Sequence, residues 1–107
     1  MTVVELSTLE EVKKFIEDND KVVVDFWAPW CGPCQMMKPI FKQVSELDKF
    51  KDVKFGAIDV EAHADVGQEY QIASLPTLKV FISGKFKDDI IGFRQKPQLE
   101  AAIEEKI

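Results

Sequence analysis

Both cysteines of this chain stand two residues apart, in Phe26-Trp27-Ala28-Pro29-Trp30-Cys31-Gly32-Pro33-Cys34, directly after the apolar run Val22-Val23-Val24. A C-x-x-C pair placed where a strand feeds a helix is a dithiol that can close into a disulfide and reopen, so the chemistry on offer is electron exchange. Other chemistries use the same spacing. A structural zinc site needs about four nitrogen or sulfur ligands, commonly as two such pairs. The other soft ligand here is His63, alone in a polar stretch, so no metal is expected. An iron–sulfur cluster needs four thiolates and would have to be shared between two chains. A static staple across so short a loop contributes little, because the stabilisation grows with loop length. Redox exchange is the reading the spacing favours.

Three further residues bear on that chemistry. Trp30 immediately precedes Cys31 in a proline-containing loop and offers a docking surface, whereas Trp27 reads as a core aromatic beneath the loop. Asp25 falls inside an otherwise apolar strand pattern, on the same face as Val23 and Trp27. A carboxylate there is costly to ionise, so its pKa is expected to be raised. Two readings stay open for it: a group that takes a proton from a neighbouring thiol, or a strand-end aspartate bonded to backbone.

The rest of the chain sets limits on function. Its 107 residues suffice for one domain with a proper core and no disulfide stapling. With 46% apolar and 31% charged residues the composition is that of an ordinary globular protein. A net charge of -5 disfavours nucleic acid, which requires a basic patch, and an anionic membrane surface. No apolar run approaches the roughly 20 residues of a membrane span. Met1-Thr2-Val3-Val4-Glu5 shows neither a basic nor an apolar leader region, so the expectation is a reducing, cytoplasmic setting.

Strand and helix signals alternate. Val3–Leu6 reads as a first strand, and Ser7 with Glu10 as a capping box opening a helix that carries Leu9, Val12, Phe15 and Ile16 and ends near Asp18-Asn19-Asp20. Val22–Trp27 has the continuous apolar character of a central strand. A second helix opens at Cys31 to Pro33 with the stripe Met37, Ile40, Phe41, Val44 and Leu47, and Pro39 should kink rather than end it. A third strand is expected over 53–60, a short helix over 64–70, a fourth strand over 77–82, a turn at Ser83-Gly84-Lys85, a fifth strand over 86–91 broken by Gly92, and a last helix from near Pro97 with Leu99, Ala102, Ile103 and Ile107 inward. The order β-α-β-α-β-α-β-β-α implies a parallel half joined to a hairpin and a helix, with helices on both faces of the sheet.

In this order the residues resemble the thioredoxin family. Trp27-Ala28-Pro29-Trp30-Cys31-Gly32-Pro33-Cys34 is similar to its W-C-G-P-C active-site segment, and Asp25, Pro39, Asp59, Leu75-Pro76-Thr77, Gly84 and Gly92 fall where the family has their counterparts. The resemblance implies an α/β thioredoxin fold, a central five-stranded mixed sheet flanked by four helices, as one domain over 1–107. It also implies a protein disulfide reductase and electron carrier without a bound cofactor. Cys31, at a helix N-terminus where unpaired N–H groups and the helix dipole favour an anion, becomes the attacking thiolate. Cys34 resolves the mixed disulfide. Gly32 and Pro33 tune the pair towards the reducing dithiol, and Asp25 is favoured as proton acceptor for Cys34. Pro76, which alone reads as a strand start, is implied to be cis beside the disulfide, with Leu75 presenting its backbone to substrate; Trp30, Gly92 and Phe93 complete the docking face.

With no G-x-G-x-x-G to bind a dinucleotide, re-reduction is expected from a separate thioredoxin reductase of flavin or dithiol type. The implied partners are disulfide-bearing proteins such as peroxiredoxins or reductases, and the protein is expected to act as a monomer. Three departures from the family bear on potential and partner range. Gln35 replaces a basic residue, Phe93 a small one, and the third strand around Val53 to Ala57 carries no counterpart of a buried lysine near the aspartate. An oxidant or isomerase on the same fold is disfavoured by Gly32-Pro33. A redox-switched binding module is the rival of another class, distinguished by partner binding without turnover.

Overall fold

Side-chain alternation along one central strand organises the structure. The computed structural model describes residues 2–107; Met1, with which the predicted domain begins, lies outside them. Strand β1 is Val3–Leu6, β2 Lys21–Trp27, β3 Lys54–Asp59, β4 Thr77–Ile82 and β5 Lys85–Ile91. They form one sheet in the order β1-β3-β2-β4-β5. The first three are parallel, while β4 runs antiparallel to β2 and β5 antiparallel to β4. Helices α1 (Leu9–Glu17), α2 (Gly32–Ser45), α3 (Ala64–Glu69) and α4 (Lys96–Lys106) cover both faces. This is the predicted order of elements and the predicted five-stranded mixed sheet.

On one face Val23 joins Phe55, Leu78, Val80 and Ile90 of the sheet with Met37, Phe41 and Val44 of α2 and Leu99 and Ile103 of α4. On the other, Val22, Val24 and Phe26 pack with Val12 and Ile16 of α1 and Val66 of α3. Asp25 is an odd position of β2 and therefore belongs to the α2 side, in register with Ala57 of β3 and Leu78 of β4. The β4–β5 hairpin turns on Ser83 (φ 53) and Gly84 (φ 80), the paired left-handed geometry that joins two-residue hairpins without splaying the strands. Ser83 is held there by Asp20, whose carbonyl accepts the Ser83 N–H at 2.7 Å and whose Oδ1 accepts the Ser83 hydroxyl at 2.7 Å.

The structure corrects three local expectations. The N-cap of α1 is Thr8, not Ser7: the Thr8 hydroxyl accepts the Glu11 N–H at 3.0 Å, and Glu11 Oε1 accepts the Ser7 N–H at 2.8 Å. Helix α2 does continue through Pro39 but closes at Ser45, so Leu47 lies beyond it, half-buried, before a 3-10 turn at Asp48–Phe50 that the sequence pattern did not indicate. That turn drives Phe50 into the core, edge-on to Phe55 at 6.1 Å between ring centres. Ile40 is only half-buried, so the buried stripe of α2 narrows to Cys34, Met37, Phe41, Val44 and Ser45.

Candidate active site

The site is built where β2 ends and α2 begins. Cys31 is the N-cap of α2, with extended backbone (φ -89, ψ 110), so its side chain faces the helix's first free N–H groups. Cys31 Sγ accepts the Cys34 N–H at 3.2 Å, a bond that favours the sulfur more as it gains negative charge. The two cysteines are joined in a disulfide with Cα atoms 5.2 Å apart. They differ in access: Cys31 retains 6% exposure and Cys34 none. Both cluster with Ala28, and Trp27 and Leu75 pack against that cluster.

A groove opens on Cys31. Trp30, Gly32 and Pro33 line it together with Ile72, Ala73, Ser74 and Leu75, and with Val60 and Ala64, Gly67 and Gln68 of α3. Trp30 is 68% exposed, standing out from the rim, and a Cβ on Gly32 would meet nothing within 4 Å, so the backbone beside Cys31 is open to approach. The Leu75–Pro76 peptide bond is cis. Pro76 is buried, and its carbonyl accepts the Gly92 N–H at 2.9 Å, which brings the end of β5 beside the Leu75–Pro76 loop. Gly92 has φ 91, a left-handed value suited to glycine. Phe93 does not line the groove; it is half-buried against the α2–α4 core. Gln35, in place of a basic residue, donates from Nε2 to the Pro29 carbonyl at 3.3 Å and ties down the loop before Cys31. His63 precedes α3 as its N-cap position without a side-chain cap bond.

Asp25 is 1% exposed, and its Oδ1 has no hydrogen-bond partner among the described residues. Burial pushes its carboxyl up to about 7; Lys38 pulls the other way and Glu5 adds to the rise. These three side chains line one cavity of about 230 Å³, with Phe41 and Ala57 among its walls. Ala57 stands directly across the ladder from Asp25, so the small side chain leaves the space and the cation comes instead from α2. Lys38 Nζ also sits 3.5 Å above the centre of the Trp27 ring. Lys38 and Glu5 are functional candidates that sequence reasoning missed. The signal for Lys38 was its spacing of four residues from Cys34, which places the two on one helix face.

Such a site supports nucleophilic attack by Cys31 on a disulfide brought into the groove and resolution by Cys34 from below. Comparison with known proteins agrees. A family model described as Thioredoxin matches residues 3–105. A thioredoxin of Mycoplasmoides gallisepticum is 43% identical over 93 residues, spanning 87% of this chain and 91% of that protein. The crystal structure of Malassezia sympodialis thioredoxin superposes with a TM-score of 0.89 at 33% identity, over 99% of this chain and 94% of that one. A structure concerned with thiol resolution in a yeast mitochondrial 1-Cys peroxiredoxin through the glutathione and thioredoxin systems superposes with a TM-score of 0.85 at 33% identity, over 97% and 95% of the two chains.

Proposed function

Because the chain belongs to the thioredoxin family, and is thereby a disulfide oxidoreductase working through Cys31 and Cys34, we propose that it reduces protein disulfides docked in the Cys31 groove. The observation that carries the reading is the asymmetry of the pair, with Cys31 at the helix N-cap facing the groove and Cys34 fully buried behind it. The Cys31 thiolate attacks one sulfur of the substrate disulfide, forming a mixed disulfide and expelling the first substrate thiolate. Cys34 then gives up its proton and attacks the Cys31 sulfur, which forms the internal disulfide and releases the second substrate thiolate. Asp25 takes the Cys34 proton: a carboxyl poised at about 7 is matched to that transfer near neutral pH. Trp30 and Leu75 line the groove, and Pro76, Gly92 and Phe93 extend the docking face beyond its edge, with Gly32 and Pro33 setting the poise of the dithiol between them.

Thioredoxins act with disulfide substrates and with reductases. For this chain the donor is a separate thioredoxin reductase, of flavin or dithiol type, and peroxiredoxins are the substrate class supported by the yeast relative's stated context. The whole of 1–107 acts as one domain and as a monomer, with a groove and disulfide that need no second copy to complete them. Among the described residues no helix is long and apolar enough to cross a membrane, and the cytoplasm is the compartment that suits a pair kept reduced. Recovery of the protein in an organelle on cell fractionation would overturn that placement.

The test is trapping. Cys34→Ser should accumulate a mixed disulfide with insulin, because nothing resolves it, and Cys31→Ser should form none and reduce no insulin with dithiothreitol as donor. Equal trapping by the two variants sinks the assignment of roles, and binding of partners by the unaltered protein without turnover favours a redox-switched binding module instead.

A further inference from the structure

Arg94 has no part in the chemistry above, yet its hydrogen bonds join the docking loop to the helix that carries Cys34. Its Nη1 donates to the Ile91 carbonyl at 2.8 Å and to the Phe93 carbonyl at 3.3 Å, so the side chain folds back across Gly92. A Cβ on Gly92 would lie 3.6 Å from that same nitrogen. The Arg94 backbone N–H points at Met37 Sδ, 3.3 Å away. Met37 is fully buried and follows Cys34 by three residues, on the same face of α2. On the other side of the turn, Gly92 N–H reaches the Pro76 carbonyl at 2.9 Å. One short segment is therefore tied to the Leu75–Pro76 loop, to itself and to α2.

We propose that Arg94 is a positioning residue for substrate docking: its guanidinium clamps the Gly92–Phe93 turn in the conformation that meets a protein disulfide. This rests on the reading of Gly92 and Phe93 as part of the docking face. Backbone N–H bonds anchor the turn at Gly92 and at Arg94, and without the clamp the Phe93 peptide between them samples orientations that docking must then restrict. Restricting them at the moment of binding weakens affinity without altering bond exchange at the sulfurs. Both bonds leave one terminal nitrogen, whose two N–H groups are fixed in the guanidinium plane, and an ammonium on its shorter, freely turning stem directs donors at that pair of carbonyls less well.

The experiment mixes pre-reduced protein with insulin over a range of concentrations and, separately, with 2-hydroxyethyl disulfide, and follows conversion of the protein's own Cys31–Cys34 dithiol to the disulfide in a single turnover, by acid quench and alkylation of the remaining protein thiols. Arg94→Ala should raise the half-saturating insulin concentration roughly three- to tenfold, the scale of one or two exposed hydrogen bonds. The limiting rate with insulin and the rate with the small disulfide should change less than twofold. Arg94→Lys should recover part of the loss, and thermal unfolding of both variants checks that the fold is retained. An equal fall with both substrates, an unchanged half-saturation, or a lysine variant no better than alanine overturns the proposal. Phe93→Ala in the same assay separates the two layers of the argument. An insulin-specific effect of Phe93→Ala with none from Arg94→Ala overturns the clamp alone, and no effect of Phe93→Ala overturns the docking reading beneath it.

Discussion

At Asp25, burial outweighs the nearby cation. Lys38 favours the carboxylate, but the loss of water and the second carboxylate at Glu5 together carry the pKa up to about 7. A carboxyl whose folded pKa exceeds its unfolded value, near 4, is one the fold holds protonated. Its contribution to stability is whole below the unfolded pKa and is lost as pH rises through the folded one. Asp25→Asn cannot ionise, so relative to the unaltered protein it should gain on the order of 3 kcal/mol between pH 4.5 and pH 8, while slowing release of the mixed disulfide. Urea unfolding of the oxidised forms at the two pH values checks this, with the thiols out of the titration. Parallel stability curves for the two proteins would leave Asp25 as a structural residue. The presence of this carboxyl and its raised pKa were legible from one strand's alternation. Its neighbours were not, because Glu5 on β1 and Lys38 on α2 meet it only once three separated segments are packed together.

Elements defined by their own local chemistry were the legible ones. The α2 start, with Cys31 before Gly32 and Pro33, and the hairpin at Ser83-Gly84 follow from backbone preferences a few residues long. The start of α1 shows where local chemistry runs out. Ser7-x-x-Glu10 and Thr8-x-x-Glu11 are overlapping capping boxes, and the choice between them depends on which phase turns Val12 and Ile16 towards the sheet. The 3-10 turn before β3 escaped notice for a related reason: three residues carry no periodicity, and only the pocket that receives Phe50 fixes it. If Thr8 is the working cap, Thr8→Ala should cost about 1 kcal/mol, and Ser7→Ala only a few tenths, since Ser7 contributes a backbone N–H that alanine keeps. Chemical denaturation of the pair decides it; a larger loss from Ser7→Ala reverses the order of the caps.

For the whole molecule, α1 and α2 divide stability from chemistry across the sheet. Both bury apolar side chains against the same sheet, but α2 with its N-cap supplies the sulfurs, the Met37 contact to Arg94 and the cation beside Asp25. Helix α1 holds up the sheet from behind, with Gly56 leaving room for Phe15 and Leu6 against β3, while α3 on the same face lends Ala64, Gly67 and Gln68 to the Cys31 groove. Matched substitutions in α1 and α2 should therefore cost similar stability and differ in what they do to the site. Phe41, a wall of the Asp25 cavity, lies edge-on to Phe55 at 5.5 Å between ring centres, and Ile16 is buried on the opposite face. Phe41→Leu and Ile16→Val should each destabilise by about 1 kcal/mol at pH 4.5. Only Phe41→Leu enlarges the space around Asp25, admits water and relieves the penalty on its charge, so that variant should lose less stability than the unaltered protein between pH 4.5 and pH 8. Ile16→Val should keep the unaltered slope. Urea unfolding at both pH values gives the comparison. A shallower slope in Ile16→Val, or an unaltered slope in Phe41→Leu, would mean that the cavity wall does not set the environment of the carboxyl and that α1 and α2 are not divided in this way.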